Sequence, residues 1–243
     1  MHASTQPYGL YHLVWLSGIA ITSILVVSLC RRNLVRQEYV RAALACLLVA
    51  GELQRYFKDG VNFPHHLPLN LCNITTWVAV LACIWLYRDA VEFTYFAGFG
   101  GAGMALLTPD MGADWPVRFF MNHGTIILTA SALVFGRISL LRKGALWRAF
   151  GYSLLYLILI TIFDFAFKTN YAYARKKPGI TTILSILGEW PYYVLGMIAV
   201  GFLLYLLLWQ PVKPRASDRG PIHAEAPSLA SAEAMDTRES TRR

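Results

Sequence analysis

Apolar residues dominate this chain in seven long runs, separated by short segments that carry most of the charge. Each run holds about 20 residues, which is enough for a helix to cross the hydrocarbon core of a membrane. The pattern therefore predicts an all-α membrane protein, a bundle of about seven transmembrane helices. The predicted spans are Leu10–Cys30, Val40–Tyr56, Leu67–Tyr87, Val91–Thr108, Val117–Phe135, Trp147–Phe167 and Trp190–Trp209.

Composition supports the same class of protein. Hydrophobic residues make up 56% of the chain and charged residues only 15%, and the mean hydropathy is +0.45. This balance is too apolar for an ordinary soluble domain, so we expect a multi-pass protein of the cell membrane. The net charge of +8 is explained by basic cytoplasmic loops, and nucleic acid is not an expected partner.

The distribution of basic residues predicts the orientation and the domain boundary. The first span has no basic segment before it and is followed by "RRNLVR". Because Lys and Arg favour cytoplasmic loops, we expect the N-terminus outside and the C-terminus in the cytoplasm. The composition turns to Pro, Ser, Ala and charge at Pro211. Residues 1–210 are therefore predicted to form the transmembrane domain, and residues 211–243 a disordered cytoplasmic tail.

Two kinds of site known from soluble proteins, cysteine-based sites and a dinucleotide-binding site, are not indicated by the sequence. The four cysteines form no CxxC pair and predict neither a disulfide framework nor a zinc site. The segment "GFGGAG" (98–103) matches a dinucleotide-binding pattern, but it lies inside an apolar span rather than after a strand. Its glycines instead predict close helix packing. We expect no metal and no other cofactor.

Polar residues are concentrated near the predicted outer ends of the spans. Glu52, Cys72, His123, Asp164 and Glu189 come from five different spans and fall at similar depth. Because polar groups inside a membrane are costly, a layer of them predicts a functional site. The predicted inner half shows no comparable set.

Simpler interpretations exist for the carboxylates. Glu52 with Arg55 and Asp164 with Lys168 have helical spacing, so each could be an ion pair that holds a helix end. Glu189 precedes "WPYY" and is a candidate rim residue.

Cys72 is the strongest candidate for a reactive group. Pro68 is expected in the first turn of the third span, which places Cys72 near a helix N-terminus, where the dipole favours a thiolate. Small and polar residues share its helical face: Thr75, Thr76, Ala79 and Cys83. A thiol, His123 at equal depth, and the amides of Asn70, Asn73 and Asn122 are the groups that covalent acyl transfer requires.

Several short motifs, in order along the chain, resemble the YwaF-like family of integral membrane proteins, which includes a vertebrate transmembrane phospholipid acyltransferase. The matching features are Glu52 with Gly60, "LPLNLCN" (67–73), "NHG" (122–124), "NYAY" (170–173), "KP" (177–178) and "GEWPYY" (188–193). The resemblance implies a seven-span fold and a cysteine-dependent enzyme that moves a fatty acyl chain between phospholipids.

Residue by residue, the resemblance implies Cys72 as nucleophile and His123 as base. The substrate-binding or supporting residues would be Glu52, Asn70, Asn73, Asp164, Asn170 and Tyr171. The family usually has histidine where this chain has Asn70, so a catalytic role of that histidine would be lost here unless His65 or His66 replaces it.

The leading hypothesis is a lipid transacylase or lipid hydrolase whose partners are membrane lipids that enter from the outer leaflet. The alternative is a transporter or small-molecule receptor that uses Glu52, Asp164 and His123 as a proton or cation site. A third interpretation is a structural membrane partner, in which the polar layer only satisfies helix ends. No feature of the sequence indicates an oligomeric state.

Overall fold

The computed structural model describes residues 8–108, 116–177 and 186–213, and this part of the chain is helical without any strand. The α-helices are α1 (Leu10–Arg31), α2 (Gln37–Asp59), α3 (Leu71–Trp85), α4 (Arg88–Ala97), α5 (Gly103–Leu107), α6 (Pro116–Val134), α7 (Ala145–Phe167) and α8 (Tyr192–Trp209). A π-helical turn, Gly98–Ala102, joins α4 to α5, and 3-10 turns cover Tyr171–Tyr173 and Gln210–Val212.

In the described part of the chain, five helical segments are long and apolar enough to cross a membrane: Leu10–Arg31, Arg88–Leu107, Val117–Val134, Ala145–Phe167 and Tyr192–Val212. Helix α3 is apolar but has only 15 residues, and α2 carries Arg41, Glu52 and Arg55. The helical membrane class is therefore confirmed, with five helices that meet the length and composition of a span. The orientation stays a prediction, and the predicted disordered tail lies outside the described residues from position 214 on.

Helix α4 is the most enclosed element, because every residue from Val91 to Ala97 is buried. It packs against α3, α6 and α7, while α1 packs against α6 and α8 packs against α7. Helices α1, α7 and α8 expose large apolar side chains such as Leu25, Leu159 and Leu203. An apolar surface of this kind matches a hydrocarbon environment, because a leucine side chain in contact with lipid tails has no free-energy penalty for exposure.

The glycine-rich segment between α4 and α5 permits close packing, as its composition predicts. The ideal Cβ position of Gly98 lies 3.1 Å from a methyl carbon of Ile126, and that of Gly101 lies 3.1 Å from Leu71. A larger side chain would displace both neighbours. The π-helical turn therefore brings α6 and the start of α3 against the middle of the α4–α5 segment.

Candidate functional site

Cys72 is the second residue of α3, closer to the helix N-terminus than the sequence predicts. Asn70 is the N-cap, and its side chain makes no capping hydrogen bond. Pro68 therefore precedes the helix, and its predicted place in the first turn is wrong. The first intrahelical bond runs from Ile74 N–H to Asn70 O.

The start of α3 leaves three backbone donors available beside the thiol. A helix cannot satisfy the N–H groups of its first turn internally. Within the described residues, the N–H groups of Leu71, Cys72 and Asn73 have no acceptor. The dipole of the helix also makes this end favourable for negative charge. The local backbone can therefore receive an anionic oxygen next to the Cys72 sulfur.

A buried carboxylate on α2 is bound to the residue that follows Cys72. Asn73 Nδ2 donates a hydrogen bond of 2.8 Å to Glu52 Oε1, and Arg55 Nε donates one of 3.1 Å to Glu52 Oε2. Glu52 is buried, and the Arg55 guanidinium lies over the ring of Tyr56 at 4.3 Å. The interpretation of Glu52 and Arg55 as an ion pair is thus confirmed, and the same carboxylate also orients Asn73.

Cys72 itself is half-buried and packs against an apolar cluster that joins α2, α3 and α6. The cluster includes Leu48 from α2, Ala79 from α3 and Ile126 from α6. The side chain of Cys72 therefore points into the bundle, on the face that its small and polar neighbours predict.

His123 lies on α6, one turn before the isoleucines that pack near Cys72. Its Nδ1 lies 2.8 Å from Phe119 O, and its ring packs on that of Phe119 with centroids 4.3 Å apart. Because a carbonyl oxygen only accepts, Nδ1 carries the proton and Nε2 holds the free lone pair. No hydrogen bond joins His123 to Cys72 among the described residues, so their pairing stays a prediction.

A small polar cavity lies between α2, α3 and α6. It is lined by Glu52, Thr76, Asn122 and Thr125 together with two leucines. The centre of a water molecule can occupy a volume of about 10 Å³ inside it. A cavity of roughly this size, with several polar partners, can hold one water. Thr76 Oγ1 donates to Cys72 O at 2.8 Å, so the cavity borders the turn of α3 that carries the thiol.

Asp164 belongs to a second group of polar residues, near the end of α7. Its Oδ1 accepts hydrogen bonds from Thr169 Oγ1 at 2.6 Å and from Tyr171 N–H at 2.9 Å. Its Oδ2 is buried without a hydrogen-bond partner in the described residues. The interpretation of Asp164 and Lys168 as an ion pair is wrong, because α7 ends at Phe167, the next residue Lys168 has a left-handed backbone, and Asp164 instead binds the segment that follows.

The 3-10 turn after α7 holds the segment that leads into α3. Leu67 N–H donates to Tyr171 Oη at 2.9 Å, and that hydroxyl donates to Pro64 O at 2.7 Å. Ala172 N–H donates to Asn70 Oδ1 at 3.3 Å. The two motifs "LPLNLCN" and "NYAY", about one hundred residues apart, therefore form one interface.

The other residues of this second group order the segment after α7. Asn170 Oδ1 accepts from the backbone N–H groups of Arg175 and Lys176, and its Nδ2 donates to Lys176 O. Glu189 is largely exposed and pairs with Lys177 at 3.0 Å. Its interpretation as a rim residue is thus supported. Tyr193 Oη donates to Tyr173 O at 2.8 Å, which attaches α8 to the same turn.

The structure joins some members of the predicted layer and keeps others apart. Glu52 and Asn73 meet beside Cys72, whereas Asp164, Tyr171 and Asn70 form the second group. Glu52, Asp164 and His123 have separate hydrogen-bond partners, and no hydrogen bond joins any two of them among the described residues. Within the described residues, no three His, Cys, Asp or Glu side chains converge as metal ligands.

A polar network at the opposite ends of α3 and α7 contradicts the expectation that the inner half has no comparable set of polar residues. Glu92, only 1% exposed, accepts hydrogen bonds from both Arg142 and Arg148. Asp89 accepts from Arg142 and from Tyr152. The hydrogen bonds to Glu92, and then the one to Asp89, raise the pKa of Arg142 above its ordinary value. The carboxylates precede their arginines by about 50 residues, so no local spacing indicates the pairing.

Sequence reasoning also missed His12, which is fully buried in α1. Its Nε2 donates to Leu106 O at 2.8 Å, and its Nδ1 accepts from Tyr8 N–H at 2.9 Å. Both ring nitrogens are therefore occupied, and the side chain attaches α1 to the end of α5. Only the polarity of a single histidine in an apolar run could have indicated this contact.

The fold is that of a polytopic helical membrane protein, because its helices expose apolar side chains and make buried polar contacts with one another. Its candidate site is the Cys72 thiol at the start of α3. Its chain belongs to the TMEM164 family, a transmembrane family whose model matches residues 7–209 and so includes every helix described above. No curated protein and no solved structure matches the chain.

Proposed function

We propose that this protein is a membrane lipid acyltransferase or lipid hydrolase with Cys72 as its nucleophile. The observation that carries the proposal is the first turn of α3, where the thiol lies beside three backbone N–H groups that have no acceptor in the described chain. A nucleophile next to preorganised donors is the arrangement that acyl transfer requires.

In the first half-reaction, His123 Nε2 takes the proton of the Cys72 thiol, and the sulfur attacks the carbonyl carbon of a lipid ester. The carbonyl oxygen becomes negative in the tetrahedral intermediate and accepts hydrogen bonds from the N–H groups that open α3. The ester C–O bond then breaks, the leaving lysolipid oxygen takes the proton from His123, and a thioester to Cys72 remains.

In the second half-reaction, the hydroxyl of a lysolipid or a water molecule attacks the thioester, and His123 takes its proton. The C–S bond breaks and the sulfur recovers the proton, which restores the enzyme. The polar cavity beside Glu52, Thr76 and Asn122 supports the hydrolytic branch, because it offers a place for a water next to the turn that carries Cys72.

In this proposal, the remaining predicted site residues hold the start of α3 in position. Glu52 holds Asn73 through their 2.8 Å hydrogen bond, and Tyr171 holds the segment that enters α3. Donors placed at a developing oxyanion contribute about 10²- to 10³-fold each to the rate. A displaced α3 start would therefore reduce turnover without any change in Cys72 itself.

The direct test is to trap the thioester. Purified protein in nanodiscs would be incubated with a phospholipid that carries a labelled acyl chain, and the labelled cysteine identified by mass spectrometry. We expect label at Cys72, its loss in Cys72→Ala, and no change in Cys46→Ala, whose thiol is exposed on α2. Equal lipid turnover by Cys72→Ala and by the unaltered protein would reject the mechanism.

A second candidate function is favoured by Asp164, whose buried Oδ2 has no hydrogen-bond partner in the described residues. A buried carboxylate with a free oxygen is a candidate for a proton or cation site in a transporter or receptor. Proton or cation flux into liposomes that survives Cys72→Ala and disappears in Asp164→Asn would support this candidate. Retention of the labelled acyl chain on Cys72, with no flux, would support the enzyme.

A further inference from the structure

A long apolar groove runs between α3 and α7, with α4 at one of its ends. Its volume is about 980 Å³, near the upper limit of roughly 1,000 Å³ for small-molecule sites. The walls include Ile74 and Val78 from α3 and Leu155 and Leu159 from α7. Both leucines of α7 are exposed, so the groove is open to the hydrocarbon region along its side.

The groove is separate from Cys72. On α3, the groove is lined by Ile74, Val78 and Leu81, whereas Cys72, Thr76 and Ala79 follow one another on the opposite side of the helix. Residues at these two sets of positions are about half a turn apart, because an α-helix has about 3.6 residues per turn. Occupancy of the groove therefore needs no contact with the thiol.

The length of the groove fits one lipid chain with its polar linkage. It extends from Leu69, just before α3, to Tyr87 and Arg88, just after it. Helix α3 has 15 residues, which at 1.5 Å per residue gives about 22 Å. One leaflet of the hydrocarbon core is roughly 15 Å deep, so an acyl chain leaves room for a polar group at one end.

Only one end of the groove is charged. This end is lined by Tyr87, Arg88, Asp89, Arg142 and Tyr152, and the rest of the lining is apolar except for the hydroxyl of Tyr156. Arg142 and Asp89 are paired with each other, whereas Arg88 is exposed and makes no ion pair among the described residues. The segments 88–92 and 142–148 together hold four basic and two acidic residues, so this end is net positive.

We propose that the groove binds an anionic membrane phospholipid, with an acyl chain between α3 and α7 and the phosphate against Arg88 and Arg142. The apolar walls match the chain, and the net positive end matches the phosphate, which arginine recognises with paired N–H donors. Tyr152 Oη, which already donates to Asp89 at 3.2 Å, lies at the same end. This site is independent of the chemistry proposed at Cys72.

The test uses a photoactivatable phosphatidylglycerol with a diazirine in its acyl chain, in phosphatidylcholine nanodiscs that contain the full-length protein. Mass spectrometry maps the crosslinked residues. We expect labelling to concentrate on α3 and α7, and unlabelled phosphatidylglycerol to compete better than diacylglycerol with the same chains. Arg88→Ala should weaken that competition by roughly tenfold, the usual effect of one hydrogen bond to a charged group, while Arg32→Ala at the end of α1 should not.

Matched variants separate the groove from ordinary lipid contact. Leu159 in the groove and Leu25 on α1 are each 58% exposed, so tryptophan is equally tolerable at both. Leu159→Trp should remove the labelling of α3 and α7, and Leu25→Trp should leave it unchanged. Equal labelling of all exposed apolar helices, insensitive to Leu159→Trp, would overturn the proposal. So would equal competition by diacylglycerol.

Discussion

Asn73 donates a 2.8 Å hydrogen bond to Glu52, so the residue that follows Cys72 on α3 is bound to a buried carboxylate on α2. This contact sets the rotation and depth of the α3 start relative to α2. It also explains why a costly carboxylate lies among apolar helices: Glu52 has both an amide and the Arg55 guanidinium as partners. This contact and three others in the structure lead to four testable predictions.

The first prediction is a coupling between Asn73 and Glu52. Asn73→Ala should lower the free energy of unfolding by about 1–3 kcal/mol, because it leaves a buried carboxylate oxygen without a donor. In a Glu52→Ala background, the same substitution should cost almost nothing. Thermal unfolding of the four proteins of this cycle, in one detergent, measures the coupling. Additive losses would show that the two side chains act separately.

The second prediction concerns the Tyr171 hydroxyl. Tyr171→Phe removes the acceptor of Leu67 N–H and the donor to Pro64 O, so the segment 64–70 should exchange its backbone hydrogens faster. Labelling of Cys72 by an acyl donor should fall as well, because the start of α3 loses its support. Tyr192→Phe, at an exposed tyrosine, is the matched control. Hydrogen–deuterium exchange that is unchanged at Leu67 would contradict the assigned role.

The third prediction separates two roles of Asp164. Asp164→Asn retains an accepting oxygen for Thr169 and Tyr171 N–H, whereas Asp164→Leu removes both contacts. We expect the leucine variant to lose about 2–4 kcal/mol of stability, and the asparagine variant to lose much less. If the carboxylate instead carries protons or cations, asparagine will abolish that activity while the fold survives. Melting temperature and liposome flux, measured on both variants, distinguish these outcomes.

The fourth prediction compares a buried ion-pair network with an exposed ion pair. Glu92→Ala leaves Arg142 and Arg148 without their buried partner and should cost about 3–5 kcal/mol. Glu38→Ala removes an exposed pair with Arg36 and should leave the stability almost unchanged, because solvent screens such a pair. Yield of folded protein and thermal unfolding would measure both. Similar effects of the two substitutions would mean that the Glu92 network does not hold α4 to α7.

Much of the candidate site could be predicted because its residues are polar and interrupt long apolar runs. Glu52, Cys72, His123 and Asp164 are visible as polar side chains in apolar surroundings, and their approximate depth follows from helix geometry. The predicted third span begins at Leu67 with Pro68 in its first turn, whereas α3 begins at Leu71, since an X-Pro segment marks a boundary only approximately. Glu92 is missed because a carboxylate four residues after Arg88 looks like the charged end of a span.

The sequence by itself determined the class of the protein and the place of most helices. Long apolar runs must become helices in a membrane, since every backbone N–H and C=O needs an internal partner there. Only the tertiary structure decided which polar groups meet. Asn73 could have faced any neighbouring helix, and Tyr171 reaches Pro64 across 107 residues. Such pairings depend on the order and rotation of the packed helices, which hydropathy, a property of local sequence, does not encode.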